Sequence, residues 1–211
     1  MTGSRWTRRD VLLTGAALGS MPLAGLADER RMISRPIPSS GKPLPVIGLG
    51  TYSVFDVEST PGQIATRREI VDLLVDHGGS VIDTSPMYNR SEKIIGDIIA
   101  SGAPRDPMFI ATKVWTDGRD AGIEQMALSA RLMNTDVIDL MQVHNLRDTA
   151  VHMRGIRELQ EQGKIRYSGL THYRASAHDA LEQEMREYRP QFLQINYSLG
   201  EREADQRLQI G

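Results

Sequence analysis

Cysteine is absent from the chain. That excludes a disulfide framework and any cysteine-based metal or redox chemistry. Long apolar runs are missing too: none approaches the roughly 20 residues a membrane-spanning helix needs, so no stable membrane anchor is expected. Nor is there a basic excess. Lys and Arg number 25 against 27 Asp and Glu, for a formal net charge of −2, and no stretch has the density of positive charge that a nucleic-acid backbone demands. What remains is 211 residues, 40% apolar and 25% charged, the balance of a soluble globular protein with one sizeable core.

The front of the chain reads "SRWTRRDVLLTGAALGSMPLAGLADE". Thr7-Arg8-Arg9 precedes a moderately apolar run from Val11 to Leu26, with small residues at Gly25 and Ala27. This order of charge, apolar stretch and small-residue exit resembles a twin-arginine export signal over residues 1–27. It implies passage through the twin-arginine machinery and a periplasmic location. A proline-rich lead-in over 28–44 follows, and a folded domain is expected over 45–211.

Within that domain short β-like runs alternate with longer helical ones. Strands are expected at 45–50, 80–84, 108–114, 137–144, 165–171 and 192–197. The stretch "TRREIVDLLVDHGG" puts Ile70, Leu73 and Leu74 on one helix face with Gly78 as its stop, and "TAVHMRGIRELQEQGK" repeats Met153, Ile156 and Leu159 before Gly163. The strand ends at Asp83, Lys113, His144 and Thr171 are 30, 31 and 27 residues apart, the length of a βα unit. Runs such as "MFIAT" and "VIDLMQV" are apolar enough for a parallel sheet buried on both faces. Two architectures fit: a barrel or an open doubly wound sheet. The open sheet is disfavoured because "GLGTYS" has Ser53 where a G-x-G-x-x-G turn needs its third glycine. A (β/α)8 barrel of TIM type is favoured because a polar residue ends strand after strand, on the face where barrels keep their chemistry.

Such a barrel brings Asp83, Lys113 and His144 together at one mouth, with Tyr88 of "SVIDTSPMYNRSE" returned over them by the loop. A lysine ammonium near the phenol is expected to lower its pKa. Asp83 would anchor the lysine, and His144 would donate a hydrogen bond where charge develops on oxygen. This equips a site to give a proton to a carbonyl oxygen while hydride reaches its carbon. Since no side chain delivers hydride, a nicotinamide cofactor is implied. Rival readings are a barrel that binds the cofactor without turnover, and a metal-dependent hydrolase using His144 and Asp83. Metal ligation is disfavoured by Lys113 and by the lack of further His or carboxylate clusters at strand ends.

The signatures "GLGTY", "VIDTSPMYNRSEKIIG", "ATKVW", "LMQVHN", "GKIRYSGLTHY" and "LQINYS", spanning about residues 45 to 199, resemble those of the aldo-keto reductases, (β/α)8 barrels that reduce aldehydes and ketones with NAD(P)H. The resemblance implies catalytic roles for Asp83, Tyr88, Lys113 and His144, with Tyr88 as general acid. It implies cofactor contacts from Gly50, Thr51, Tyr52, Asp83 and Gln194, the last to the nicotinamide carboxamide. Where the family has Ser-Asn after strand five, this chain has Thr171-His172, which keep a hydroxyl and a hydrogen-bonding ring. NADPH is the usual cofactor of the family, with NADH also open. Glu92, beside the capping candidate Ser91, reads as structural, and His77, His152 and His178 as surface or helix-end residues.

A full barrel takes about 250 residues. Only about six of eight βα units are expected here, as in a chain truncated at its C-terminus. Such a slice has open edges, is expected to self-associate or to be unstable alone, and could be an inactive remnant.

Overall fold

The structure, a computed structural model, describes residues 32–207. The leader expected over 1–27 lies outside the described residues, as does the start of the 28–44 lead-in.

The lead-in is not featureless. Strands β1 (Ser34–Pro36) and β2 (Pro43–Pro45) form an antiparallel hairpin in which Arg35 faces Leu44. Gly41 supplies the positive φ of the turn, +70°. Pro36, Pro43 and Pro45 are tolerated because a two-stranded ribbon has edge positions where no ladder N–H is required. From this hairpin Ile37 and Leu44 pack on Phe109, Leu140 and Tyr167, and Ser40 Oγ lies 2.8 Å from Tyr167 Oη.

The six expected strands are all present, five of them trimmed by one to three residues at one or both ends and the strand from Ile165 longer by one. They are β3 (Gly48–Gly50), β4 (Val81–Asp83), β5 (Phe109–Val114), β6 (Ile138–His144), β7 (Ile165–His172) and β8 (Phe192–Ile195). They pair in sequence order, every pair parallel. Helices α1 (Pro61–Asp76), α2 (Ser91–Ala100), α3 (Arg119–Leu132), α4 (Thr149–Glu161) and α5 (His178–Tyr188) alternate with them, and a short α6 (Ala204–Arg207) follows β8. This is the βα repeat of a (β/α)8 barrel, with six of its strands among the described residues.

Side chains alternate across the sheet. Ile82, Ile110, Met141, Val143 and Leu170 face the helices, where they meet Ile94, Ile98, Met126, Met153 and Ile156. The opposite face carries Phe109, Ala111, Leu140 and Tyr167. All six residues of β5 are buried, as a strand covered on both faces must be. Asp139 sits among these apolar neighbours because its carboxylate accepts from Arg105 Nη2 (2.6 Å), from the Ile110 N–H (3.0 Å) and from Arg166.

Helix starts and stops follow the expected chemistry in part. Thr60 caps α1 by accepting from the Gln63 N–H, ahead of Pro61. Gly78 and Gly163 end α1 and α4 in left-handed conformations, φ +81° and +71°. Ser91 is not a cap: Arg90 holds that position, and the Ser91 hydroxyl donates to the Thr51 carbonyl at 3.2 Å. On α1 the fully buried residue is Val71, with Ile64 and Leu74 packed beside it on the core, and Leu73 is 53% exposed.

Candidate active site

Asp83 ends β4 with its backbone clamped from the next strand. Both the N–H and the hydroxyl of Thr51 donate to the Asp83 carbonyl, each at 3.0 Å. The chain then turns through Ser85-Pro86-Met87, with Tyr88 N–H bonded to Ser85 O (2.9 Å) and Met87 N–H to Ser85 Oγ (3.2 Å). Asn89 takes a left-handed φ of +49°, and its amide donates to Asp56 at 2.8 Å. That tight turn aims the Tyr88 ring back over the strand ends.

Lys113, on β5, is 2% exposed and uses all three ammonium donors. It reaches both Asp83 oxygens at 2.9 Å and the Thr84 carbonyl at 2.7 Å. Its Nζ stands 5.1 Å from the centroid of the Tyr88 ring, over the ring's face. Burial pulls the ammonium below the ordinary lysine range, and the Asp83 carboxylate opposes that pull. One strand residue earlier, Thr112 faces the other way and donates to Glu92 at 2.6 Å. Glu92 is 2% exposed, and burial raises its pKa, so its expected structural role stands on that bond and that burial.

The expectation for Tyr88 is corrected in one respect. Its pKa is raised, first by burial and then by the charge of Asp83, with Tyr52 adding to it. Burial of the ring and the Asp83 carboxylate, not the Lys113 ammonium, set that direction. Tyr52 packs edge-on against Tyr88, centroids 5.1 Å apart.

His144 ends β6. Desolvation, with the nearby positive charges of Lys113 and His172, lowers its pKa from 6.5 to about 4, so the imidazole is neutral at pH 7. Its Nδ1 is buried and has no partner among the described residues. The loop beyond is strained: Asn145 and Leu146 both take positive φ, +54° and +55°, and Asn145 N–H is tied to Thr171 O at 2.8 Å. Across this loop Arg147 lies over Trp115, 4.5 Å from the ring centroid, and pairs with Asp117.

One cavity of about 170 Å³ gathers Tyr88, Lys113, His144, Thr171, His172 and Gln194. Asp83 stands behind Lys113. Gly50, Thr51 and Tyr52 lie one strand further along and do not line this cavity: Thr51 is spent on Asp83, Tyr52 is 69% exposed, and Gly50 faces open space. Three lining residues had no role assigned from sequence: Tyr173, Ile195 and Asn196. Tyr173 stacks on His172 at 5.6 Å, and Arg174 covers it at 5.1 Å. His178 opens α5 but is buried, with Nε2 3.2 Å from Asn196 Oδ1. His152 is likewise buried on α4, its Nε2 2.8 Å from Thr116 O, where the sequence suggested a surface residue. His77 is exposed at the end of α1, as expected. Among the described residues no group of three or more His, Asp or Glu is placed to hold a metal, and no helix is long and apolar enough to cross a membrane.

A parallel βα barrel sheet with its ionisable side chains gathered at the strand C-terminal ends is the class that this fold and site define. The family model described as the aldo/keto reductase family matches residues 46–209, and the chain belongs to that family. Among curated relatives, it is 31% identical to aldo-keto reductase YhdN of Bacillus subtilis over 179 residues, 76% of this chain and 52% of the relative. It is also 31% identical to the glyoxal reductase of the same organism over 141 residues, 64% of this chain and 48% of the relative. The chain spans about half the length of the curated relatives it matches. Among solved structures, an aldo-keto reductase from Klebsiella pneumoniae in complex with NADPH superposes with a TM-score of 0.59 at 26% identity, covering 72% of this chain and 54% of that one.

Proposed function

We propose that the chain carries the carbonyl-reducing site of an NAD(P)H-dependent reductase acting on small aldehydes or ketones, with Tyr88 as general acid. The observation that carries this reading is the Lys113 ammonium, held by Asp83 and Thr84 against the Tyr88 ring in the cavity that His144 lines. The glyoxal reductase relative supports the substrate class, and the NADPH complex of the Klebsiella protein supports the cofactor.

The residues fit a nicotinamide group. Thr171 offers a hydroxyl, Gln194 an amide and His172 a ring nitrogen, all on one cavity wall suited to a carboxamide. When bound, that group supplies hydride. The chain's own residues handle the oxygen. Neutral His144 can donate one N–H to a carbonyl oxygen without surrendering its proton. Tyr88, kept protonated by its raised pKa, holds a proton ready for an alkoxide, which is a far stronger base than phenolate. As phenolate forms, the Lys113 charge beside the ring stabilises it.

Fluorescence titration of the chain with NADPH, followed by NADPH oxidation with methylglyoxal, tests the reading. Tyr88→Phe is expected to cut turnover about 10²- to 10⁴-fold while leaving NADPH affinity unchanged. Turnover that survives this change overturns Tyr88 as the acid, and NADPH binding without turnover in the unaltered chain favours a barrel that binds the cofactor but does not react.

A further inference from the structure

Gln142 is the middle member of an inward-facing row on β6, between Leu140 and His144. It is 1% exposed, beside a space of about 350 Å³ lined mostly by apolar residues, Phe109, Leu140 and Phe192 among them, with Asp83 and Gln194 as its other polar side chains. An amide in such surroundings costs free energy unless its polar atoms are bonded, and an apolar side chain of similar volume would avoid that cost. Here half of the amide is unmatched: Oε1 has no partner among the described residues. The other half makes one bond, Nε2 donating to Gln194 Oε1 at 3.1 Å.

That bond skips a strand. Gln142 is in register with Gly169 of β7, Gly169 with Phe192 of β8, and Gln194 lies two residues beyond. A Cβ at position 169 would fall 2.9 Å from Gln142 Cγ, 3.2 Å from Leu140 Cδ1 and 3.2 Å from the Phe192 carbonyl oxygen. Glycine therefore opens the notch through which the Gln142 side chain passes over β7. Bond, notch and unmatched oxygen have one explanation in common, a side chain kept for what it does to Gln194.

We propose that Gln142 is a positioning residue, holding the Gln194 amide through the notch at Gly169 so that it meets the carboxamide of a bound nicotinamide. The inference rests on the cofactor reading above. Without Gln142 the Gln194 side chain would be free to rotate on its half-buried strand, and the cavity would lose a fixed partner.

The test is a double-mutant cycle on NADPH affinity, read by fluorescence, with unfolding midpoints measured alongside. Gln142→Met keeps the unbranched chain and removes the donor, and Gln194→Met removes its target. Each alone is expected to weaken NADPH binding about 3- to 10-fold, and the pair to be no weaker than Gln194→Met alone. Gly169→Ala, which puts a methyl in the path of Gln142, should reproduce the loss independently. The unfolding midpoint of Gln142→Met should not fall, since an unmatched buried oxygen is removed with the amide. Unchanged affinity in Gln142→Met beside a loss in Gln194→Met overturns the inference, and so do losses that simply add. Unchanged affinity in Gln194→Met, or no NADPH binding by the unaltered chain, overturns the cofactor reading and this inference with it.

Discussion

Strands β5 and β8 supply opposite walls of the same cavity under unlike packing. Every residue of β5 is buried, and Lys113 is held there by three hydrogen bonds. All four residues of β8 are half-buried, and Gln194 is held by one. Among the described residues β8 pairs only with β7, whereas β5 has a parallel neighbour on each side. The difference separates two tasks. On the proposed reading, the charge that serves proton transfer is built into the doubly covered centre of the sheet, where a low dielectric strengthens it. Groups suited to a cofactor sit on its thinner flank, where a ligand supplies part of the packing.

The sharpest way to break that contrast is to remove the anion at the centre. Asp83→Leu leaves the Lys113 ammonium, 2% exposed, with only the Thr84 carbonyl, and is expected to cost about 3–5 kcal/mol in urea unfolding. Adding Lys113→Met should restore most of that loss, because the penalty lies in the unpaired charge. Gln194→Met on the flank should cost less than about 1 kcal/mol. Equal losses at the two sites would erase the distinction.

A smaller effect separates the two histidines of the cavity from Glu92, on the other side of β5. The folded pKa of His144 is about 4 against 6.5 in an exposed chain, so between these values the unfolded state binds more protons and stability falls as pH falls. Glu92 acts with the opposite sign. Its folded pKa is raised, so the folded carboxyl takes up its proton first and stability recovers as pH drops through that window. His172 is lowered like His144, chiefly by burial and then by Arg174 and His178. His144→Gln should therefore lose less stability than the unaltered chain between pH 7 and pH 4.5, by about 1–2 kcal/mol once solvent screening at this half-buried ring is allowed for. Parallel curves for the two proteins would show that His144 is not the group titrating.

Much of this site was legible because βα units repeat. A polar residue closing apolar strands about every 30 positions placed Asp83, Lys113 and His144 at one mouth, and the turn residues after Asp83 placed Tyr88 over it. The direction of the Tyr88 pKa was not legible, since it depends on how far the fold buries the ring and how near it brings Asp83. His152 shares a helix face with Ile156 and Leu159, a signal that was available. Its burial rests on Gly122, where a Cβ would come within 2.6 Å of the imidazole, and that pairing is a tertiary fact. Gln142 was readable as an inward polar position by its spacing of two from Leu140 and His144, but its reach over β7 needed the register with Gly169. The hairpin of β1 and β2 was hidden because its prolines argue against strands until the edge geometry is known.

Helix α1 gives the mildest test of the contrast between centre and flank. Periodicity alone put Ile70, Leu73 and Leu74 on one inward face, yet Val71 is 1% exposed and Leu73 is 53% exposed. The helix turns Ile64, Val71 and Leu74 to the core and packs on α2 as well as on the edge strand β3, which leaves Leu73 on its outer side. Leu73→Lys should therefore change unfolding free energy by no more than about 0.5 kcal/mol, while Val71→Ala costs about 2 kcal/mol. Were Leu73→Lys the costlier of the two, the helix would be rotated toward the face its spacing suggested, and β3 would be covered as fully as the strands at the centre.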